Sequence, residues 1–247
     1  MAHWQQRIEQ TVARLSSDER EALQEYAARA LWPSGFQIYE RGVAADGVFV
    51  VVAGRVVLRS RARAGRAFVP WVATPGESFG AEGLAPHGIY ATDARADDQT
   101  ETLFLSSSKL RAFIREQPGH AMALLGQVMA ERTVLLDKLR ELTTLSVEQR
   151  LIAALRRMAD YDTLIHTDGR IELGSARFRL LCELVGATRE SVSLVLSRLV
   201  GEGLVERDGS TMYVTLSARL FDRVSGGVED SLLVGGIADR GSAPALQ

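Results

Sequence analysis

"SARFRLLCELVGATRESVSLVLSRLVGEGLVERDGSTMYVT", residues 175–215, is the stretch from which the architecture can be read. Leu180, Leu181, Leu184 and Val185 give one short helix an apolar face, Gly186 and Ala187 make a tight turn, and Thr188 is placed to cap a second helix. That second helix repeats apolar residues at Val192, Val195, Leu196 and Leu199, which leaves Arg189, Glu190, Ser193 and Ser197 on its polar side. Two short amphipathic helices joined at a glycine turn predict a helix-turn-helix, whose second helix offers its N-terminal side chains to base edges in a major groove. After it, "LVERDGSTMYVTLS", residues 204–217, predicts a strand, a turn at Asp208-Gly209 and a second strand, which together make a wing.

Arginine can hold guanine with two hydrogen bonds, and glutamate can accept from cytosine N4. Arg189 and Glu190 are therefore candidate base readers, with Ser193 beside them and Thr188 at the helix start. Arg177, Arg179 and Arg198 lie in the same two helices and complete the candidate DNA-binding set, with Arg177 or Arg179 suited to phosphate. Two ordinary packed helices would share the apolar pattern, but the wing argues against that simpler reading. Residues 146–225 hold eleven arginines and no lysine against eleven carboxylates. The segment lacks the basic excess usual for DNA binders, so affinity must come from placement.

Upstream, "LSVEQRLIAAL", residues 145–155, predicts a helix starting at Ser146, with Gln149 completing a capping box, and sets a domain boundary there. Before it, Leu125, Val128, Arg132, Leu135, Leu139 and Leu142 recur in alternating steps of three and four, the rhythm of a two-helix seam. Residues 117–145 thus read as a dimerisation helix. Between Phe36 and Leu105, runs such as "GVFVVVAGRVVLRS" and "AFVPWVAT" alternate with Gly, Pro and Asp, which predicts an all-β roll or barrel. Within it Arg59, Arg61 and Arg63 share one face of a strand, either a solvated face or an anion-binding surface. The first thirty residues have a helical period through Leu15, Leu23, Tyr26, Ala27 and Ala30, with a start at Ser17 and a stop at Pro33-Ser34-Gly35. The expected organisation is α+β: a jelly-roll-like β-roll sensor domain over 1–116, the dimerisation helix over 117–145, a winged helix-turn-helix over 146–225, and a weakly ordered tail rich in Gly, Ser and Ala over 226–247.

Composition narrows the function. The single cysteine, Cys182, excludes an internal disulfide and any metal or iron-sulfur site needing several thiolates from one chain. The N-terminus has no signal-like apolar region and no 18-residue apolar run occurs, so a cytoplasmic protein without membrane contact is expected. His3, His87, His120 and His166 are widely separated, and no catalytic triad, metal cluster or P-loop spacing is present, so neither an enzyme nor a metal site is expected. Cys182 falls among Leu181 and Leu184, a packing position more than a redox one.

Over residues 15–222 the chain resembles the CRP/FNR family of bacterial transcription regulators. "RLSSDEREAL", "GFQIYERGVAADGVFVVVAGRVVL", "PGESFG", the seam helix and "GATRESVSLVLSRL" occur in the family's order and spacing. The resemblance implies a cyclic-nucleotide-binding β-roll, a homodimer, double-stranded DNA as partner, RNA polymerase as a further partner, and Arg189, Glu190 and Ser193 at base-contacting positions. The position five after Arg189, often a second arginine in the family, is Leu194.

The loop "PGESFGAEGLAPHGIYATDA", residues 75–94, departs from the family's phosphate cassette. The turn residues Gly76, Glu77 and Gly80 are kept. Where cyclic AMP binders carry "G-E", Ala81 intervenes and the carboxylate moves to Glu82, a shift expected to turn a strand side chain to the opposite face. Where they carry "R-S-A", this chain reads Tyr90, Ala91 and Thr92. Where they place purine-contacting hydroxyls on the dimer helix, it has Leu135 and Leu136. Burying a phosphate without a cation costs several kcal/mol, so cyclic AMP binding is not expected and no cofactor is assigned. Haem with His87 as ligand, or a cyclic dinucleotide on the Arg59, Arg61 and Arg63 face, are the alternative effectors. An FNR-type iron-sulfur sensor is excluded by the missing N-terminal cysteines.

Overall fold

Ser16, one residue before the expected start, caps the first helix, α1 (Ser17–Gln24): its hydroxyl accepts from Glu19 N at 3.2 Å, and Glu19 Oε2 accepts from Ser16 N at 2.7 Å. The computed structural model describes residues 14–61, 67–159 and 169–225, and the chain divides into two compact units, the first running to Thr144 and including Cys182–Thr188, the second made of Leu145–Leu181 and the residues from Arg189 on. The helical period expected through Ala30 breaks down, because Ala28–Trp32 forms strand β1, paired antiparallel along Thr100–Ser106 (β8). Ladder pairing outweighs a weak local propensity here. Residues 1–13 of that expectation lie outside the described residues.

The first unit continues through β2 (Gln37–Tyr39), β3 (Gly47–Ala53), β4 (Val56–Arg61), β5 (Ala67–Ala73), β6 (Ser78–Phe79) and β7 (Asp93–Ala96). They form two four-stranded antiparallel sheets, ordered β1-β8-β3-β6 and β2-β7-β4-β5. β3 explains its unbroken apolar run by being buried on both faces. Phe49 and Val51 join Tyr39, Leu58, Trp71, Phe79 and Tyr90 in one core, while Val48 and Val50 join Leu15, Leu23, Leu105, Phe113 and Leu124 in another.

The second of these cores is roofed by α1, α2 (Ser107–Glu116) and α3 (Pro118–Thr144). α3 turns Ala121, Leu124, Gln127 and Ala130 inward and exposes Met122, Leu125, Met129, Leu135, Leu136 and Leu139. The outward apolar stripe therefore differs from the expected seam: Met122 and Met129 join it, while Val128 and Leu142 are half-buried. Gln127 is a buried polar residue of the helix, as is Lys138, and it braces the helix against the roll. Gln127 Oε1 accepts from Ser78 N and its Nε2 donates to Gly76 O, both at 2.7 Å.

After Thr144 come α4 (Val147–Ala159), β9 (Arg170–Leu173), α5 (Ser175–Val185), whose last turn is grouped with the first unit, α6 (Arg189–Gly201), β10 (Val205–Asp208), β11 (Thr211–Thr215) and α7 (Ala218–Ser225). Ser146 and Gln149 exchange hydrogen bonds at the start of α4. The strands make one antiparallel sheet ordered β10-β11-β9. β9 was not expected, since "RIEL" alternates over only four residues, too few to mark a strand; its place is fixed by pairing with β11. The wing turn sits one residue later than expected: Asp208 pairs with Thr211, leaving Gly209 and Ser210 as the turn. The whole is α+β, a double-sheet roll followed by a winged helix-turn-helix. The expected tail, 226–247, lies outside the described residues, and among the described residues no helix is long and apolar enough to cross a membrane.

Candidate nucleic-acid interface and sensor pocket

Gly186 makes the helix-turn-helix corner. Its φ of +65° is a left-handed conformation that glycine adopts without strain, and its amide and that of Ala187 both donate to Cys182 O, ending α5. Thr188 occupies the residue before α6. From there the face of α6 divides cleanly. Val192, Val195, Leu196 and Leu199 are buried, while Arg189, Glu190, Ser193, Leu194, Ser197 and Arg198 are exposed. The inner four face α4 and β10, the elements against which α6 packs. What remains outside is a row that combines donors, an acceptor and one leucine.

The arginines of the candidate set have different surroundings. Arg179 is exposed on α5. Arg177 bends back on β9, donating to Glu172 O at 3.1 Å with the Glu172 carboxylate at 3.8 Å. Arg198 is paired with Glu148, which also takes Arg223 at 2.7 Å. Arg198 thus belongs to an ion network tying α6 to α4 and α7. Cys182 is buried and forms no disulfide.

The candidate effector residues of the roll fall into three places. Gly76 and Glu77 are buried in the turn before β6, where Glu77 Oε2 accepts from Thr74 N at 2.8 Å and Oε1 lies 3.6 Å from Arg14. Burial raises the Glu77 carboxyl, and the Thr74 amide and Arg14 partly offset this. Gly80 has a φ of +74°, which strains other residues, and a Cβ there would press on the Tyr90 ring at 3.1 Å. Tyr90 is itself buried; its ring stacks on Tyr39 and its hydroxyl lies 3.1 Å from Asp46 Oδ1. Leu135 and Leu136 lie on the exposed face of α3, away from the packed one.

Glu82 requires a correction. Ala81–Leu84 is a 3₁₀ turn, not a strand, so a one-residue displacement rotates the side chain by about a third of a turn instead of reversing its face. The carboxylate still reaches the cassette, accepting from Ala91 N at 3.0 Å. Beyond it on α3 stands Glu131, which sequence reasoning missed because it hides between seam positions. Its Oε2 is enclosed with no hydrogen-bond partner among the described residues. Burial, and secondarily the charge of Glu82, push its carboxyl up to about 7. Tyr39 was missed as well, being one aromatic in a β run. His87 is exposed, with φ of +60°. Of the arginine face, Arg59 is largely withdrawn from solvent, Arg61 pairs with Asp93 at 3.4 Å, and Arg63 lies outside the described residues.

Comparison with known proteins covers both units. Residues 31–117 match the cyclic nucleotide-binding domain and residues 149–220 the Crp-like helix-turn-helix domain. The cyclic AMP receptor protein of Thermus thermophilus is 31% identical over 208 residues, 83% of this chain and 92% of its own. The CRP-like cAMP-activated global transcriptional regulator of Mycobacterium tuberculosis is 24% identical over 199 residues, 78% of this chain and 86% of its own. Among solved structures, the c-di-GMP responsive global regulator CLP of Xanthomonas campestris aligns with a TM-score of 0.72 at 21% identity, covering 82% of this chain and 100% of that one. A CRP/FNR family transcriptional regulator of Thermus thermophilus gives 0.70 at 20%, covering 81% and 100%. These two structural likenesses show the fold.

Proposed function

We propose, from the premise that the chain belongs to the CRP/FNR family of bacterial transcription regulators, that it reads a palindromic operator as a homodimer without cyclic AMP. The observation that carries this reading is the division of α6, whose four buried residues hold Arg189, Glu190 and Ser193 outward near the helix N-terminus. In a major groove Arg189 takes guanine, Glu190 takes cytosine N4 and Ser193 lends a third hydrogen bond. Arg179, exposed on α5, takes a backbone phosphate.

The outward stripe of α3 supplies the dimer seam, since Met122, Leu125, Met129, Leu136 and Leu139 expose apolar surface that a second copy would cover. Two copies then hold their α6 helices about 34 Å apart, one turn of DNA. At a promoter RNA polymerase is the further partner.

Independence from cyclic AMP rests on chemistry. The place of the phosphate arginine is held by Tyr90, which is packed into the core, and the Glu82 carboxylate is engaged by the Ala91 amide. A ligand without differential affinity for two states shifts neither. The test is calorimetry with cyclic AMP and cyclic GMP, alongside operator titrations with and without each. The expected result is no binding heat and an unchanged DNA affinity. A micromolar Kd, or about a tenfold gain in DNA affinity, would overturn the nucleotide-independent reading.

A further inference from the structure

Leu194 is 75% exposed, the most exposed large apolar side chain among the described residues. A lone surface leucine ordinarily needs no explanation. This one is defined by its place: it stands one helical turn after Glu190 and three residues before Ser197, in the middle of the outward row of α6 and opposite buried Val192, Val195 and Leu199. Among the described residues it is left largely in solvent, on the side of α6 away from the buried four.

A helix docked in the major groove meets four base-pair edges there, and all but one of their distinguishing groups are hydrogen-bond donors or acceptors. The exception is the C5-methyl of thymine. Leucine offers no hydrogen bond and would leave a donor or acceptor pressed against it unpaired, which costs affinity. Facing a methyl, it buries apolar surface on both sides. We propose that Leu194 reads the C5-methyl of one thymine in each half-site, a proposal that rests on α6 being the major-groove helix. Removing one methylene-sized contact lowers affinity by about fourfold, so deleting the methyl from both half-sites of a palindrome lowers it by roughly fifteenfold.

The experiment first selects operators from random synthetic duplexes with the full-length wild-type protein. Each thymine of the selected half-site is then replaced, symmetrically, by deoxyuridine, which deletes the methyl and keeps every hydrogen-bonding group. The expected result is one symmetric position at which wild type loses roughly fifteenfold and Leu194→Ala, with an unaltered unfolding midpoint, loses less than about twofold. If wild type tolerates deoxyuridine at every thymine, or if the penalty survives in Leu194→Ala, the assignment is wrong while operator reading by α6 stands. If no sequence-selective operator emerges, the reading of α6 fails and takes this assignment with it.

Discussion

The rings of Tyr39 and Tyr90 lie face to face, their centroids 3.7 Å apart and their planes 8° from parallel. They fill the part of the roll beside Gly80, where Phe49 and Phe79 stack in turn at 5.0 Å. Burial raises both hydroxyls far above the usual tyrosine range, so both phenols stay neutral. A neutral aromatic pair stabilises the fold and supplies no positive charge for an anion. Around Gly80 the roll is packed with aromatic rings.

The stack therefore carries stability. Tyr90→Ala is expected to cost about 3–5 kcal/mol, the range for emptying a buried aromatic site. Tyr90→Phe, which keeps the ring and removes only the hydroxyl's hydrogen bonds with Asp46 and Gly47, is expected to cost on the order of 1 kcal/mol. Denaturant unfolding measures both. A Tyr90→Ala penalty below that of Tyr90→Phe would show that the stack contributes nothing.

Glu131 makes stability depend on pH. Its folded pKa of about 7 lies above that of an exposed glutamate, so the folded protein binds this proton more tightly than the unfolded chain does. Stability is then fully present below the unfolded value and falls as pH rises through about 7. Glu131→Gln removes the charge and keeps the shape. It is expected to stabilise by on the order of 2 kcal/mol at pH 8 and to change little at pH 4. Equal effects at the two pH values would mean that Glu131 does not titrate between them.

The α3 stripe predicts assembly. Leu136→Glu together with Leu139→Glu is expected to give monomers in sedimentation and to lower operator affinity by at least about a hundredfold, because each half-site alone then binds. Both side chains are more than half exposed, so the monomer should keep its fold. A dimer in the double variant would place the seam elsewhere.

Much of this was legible in the sequence where one local rule had no competitor. The division of α6 was readable because Val192, Val195, Leu196 and Leu199 follow the helical period and their burial fits it. The run through β3 was readable because both faces are buried. β1 was not: Ala28–Trp32 has no clear alternation, and its state is decided by β8, some seventy residues away. β9 failed for the same reason on a four-residue strand. Around Gly80 in the roll, the side chains that pack together could not be read from the cassette. That Tyr39 would meet Tyr90, and Glu131 feel Glu82, depends on distant segments being folded together.

The last prediction separates base reading from phosphate holding. Arg189 opens the exposed row of α6, while Arg179 is exposed on the preceding helix and Arg198 is engaged by Glu148. A base contact discriminates, so Arg189→Ala is expected to cost about 1–3 kcal/mol on the selected operator and little on random DNA. A phosphate contact does not, so Arg179→Ala should weaken both alike and lower the salt slope by about one for each phosphate no longer neutralised. Arg198→Ala should loosen the α4–α6–α7 network and show first in the unfolding midpoint, leaving the salt slope nearly unchanged. Titrations at several salt concentrations on both kinds of duplex distinguish the three. An Arg189→Ala variant that loses equally on operator and random DNA would make Arg189 a phosphate contact and move base reading to Glu190 and the residues after it.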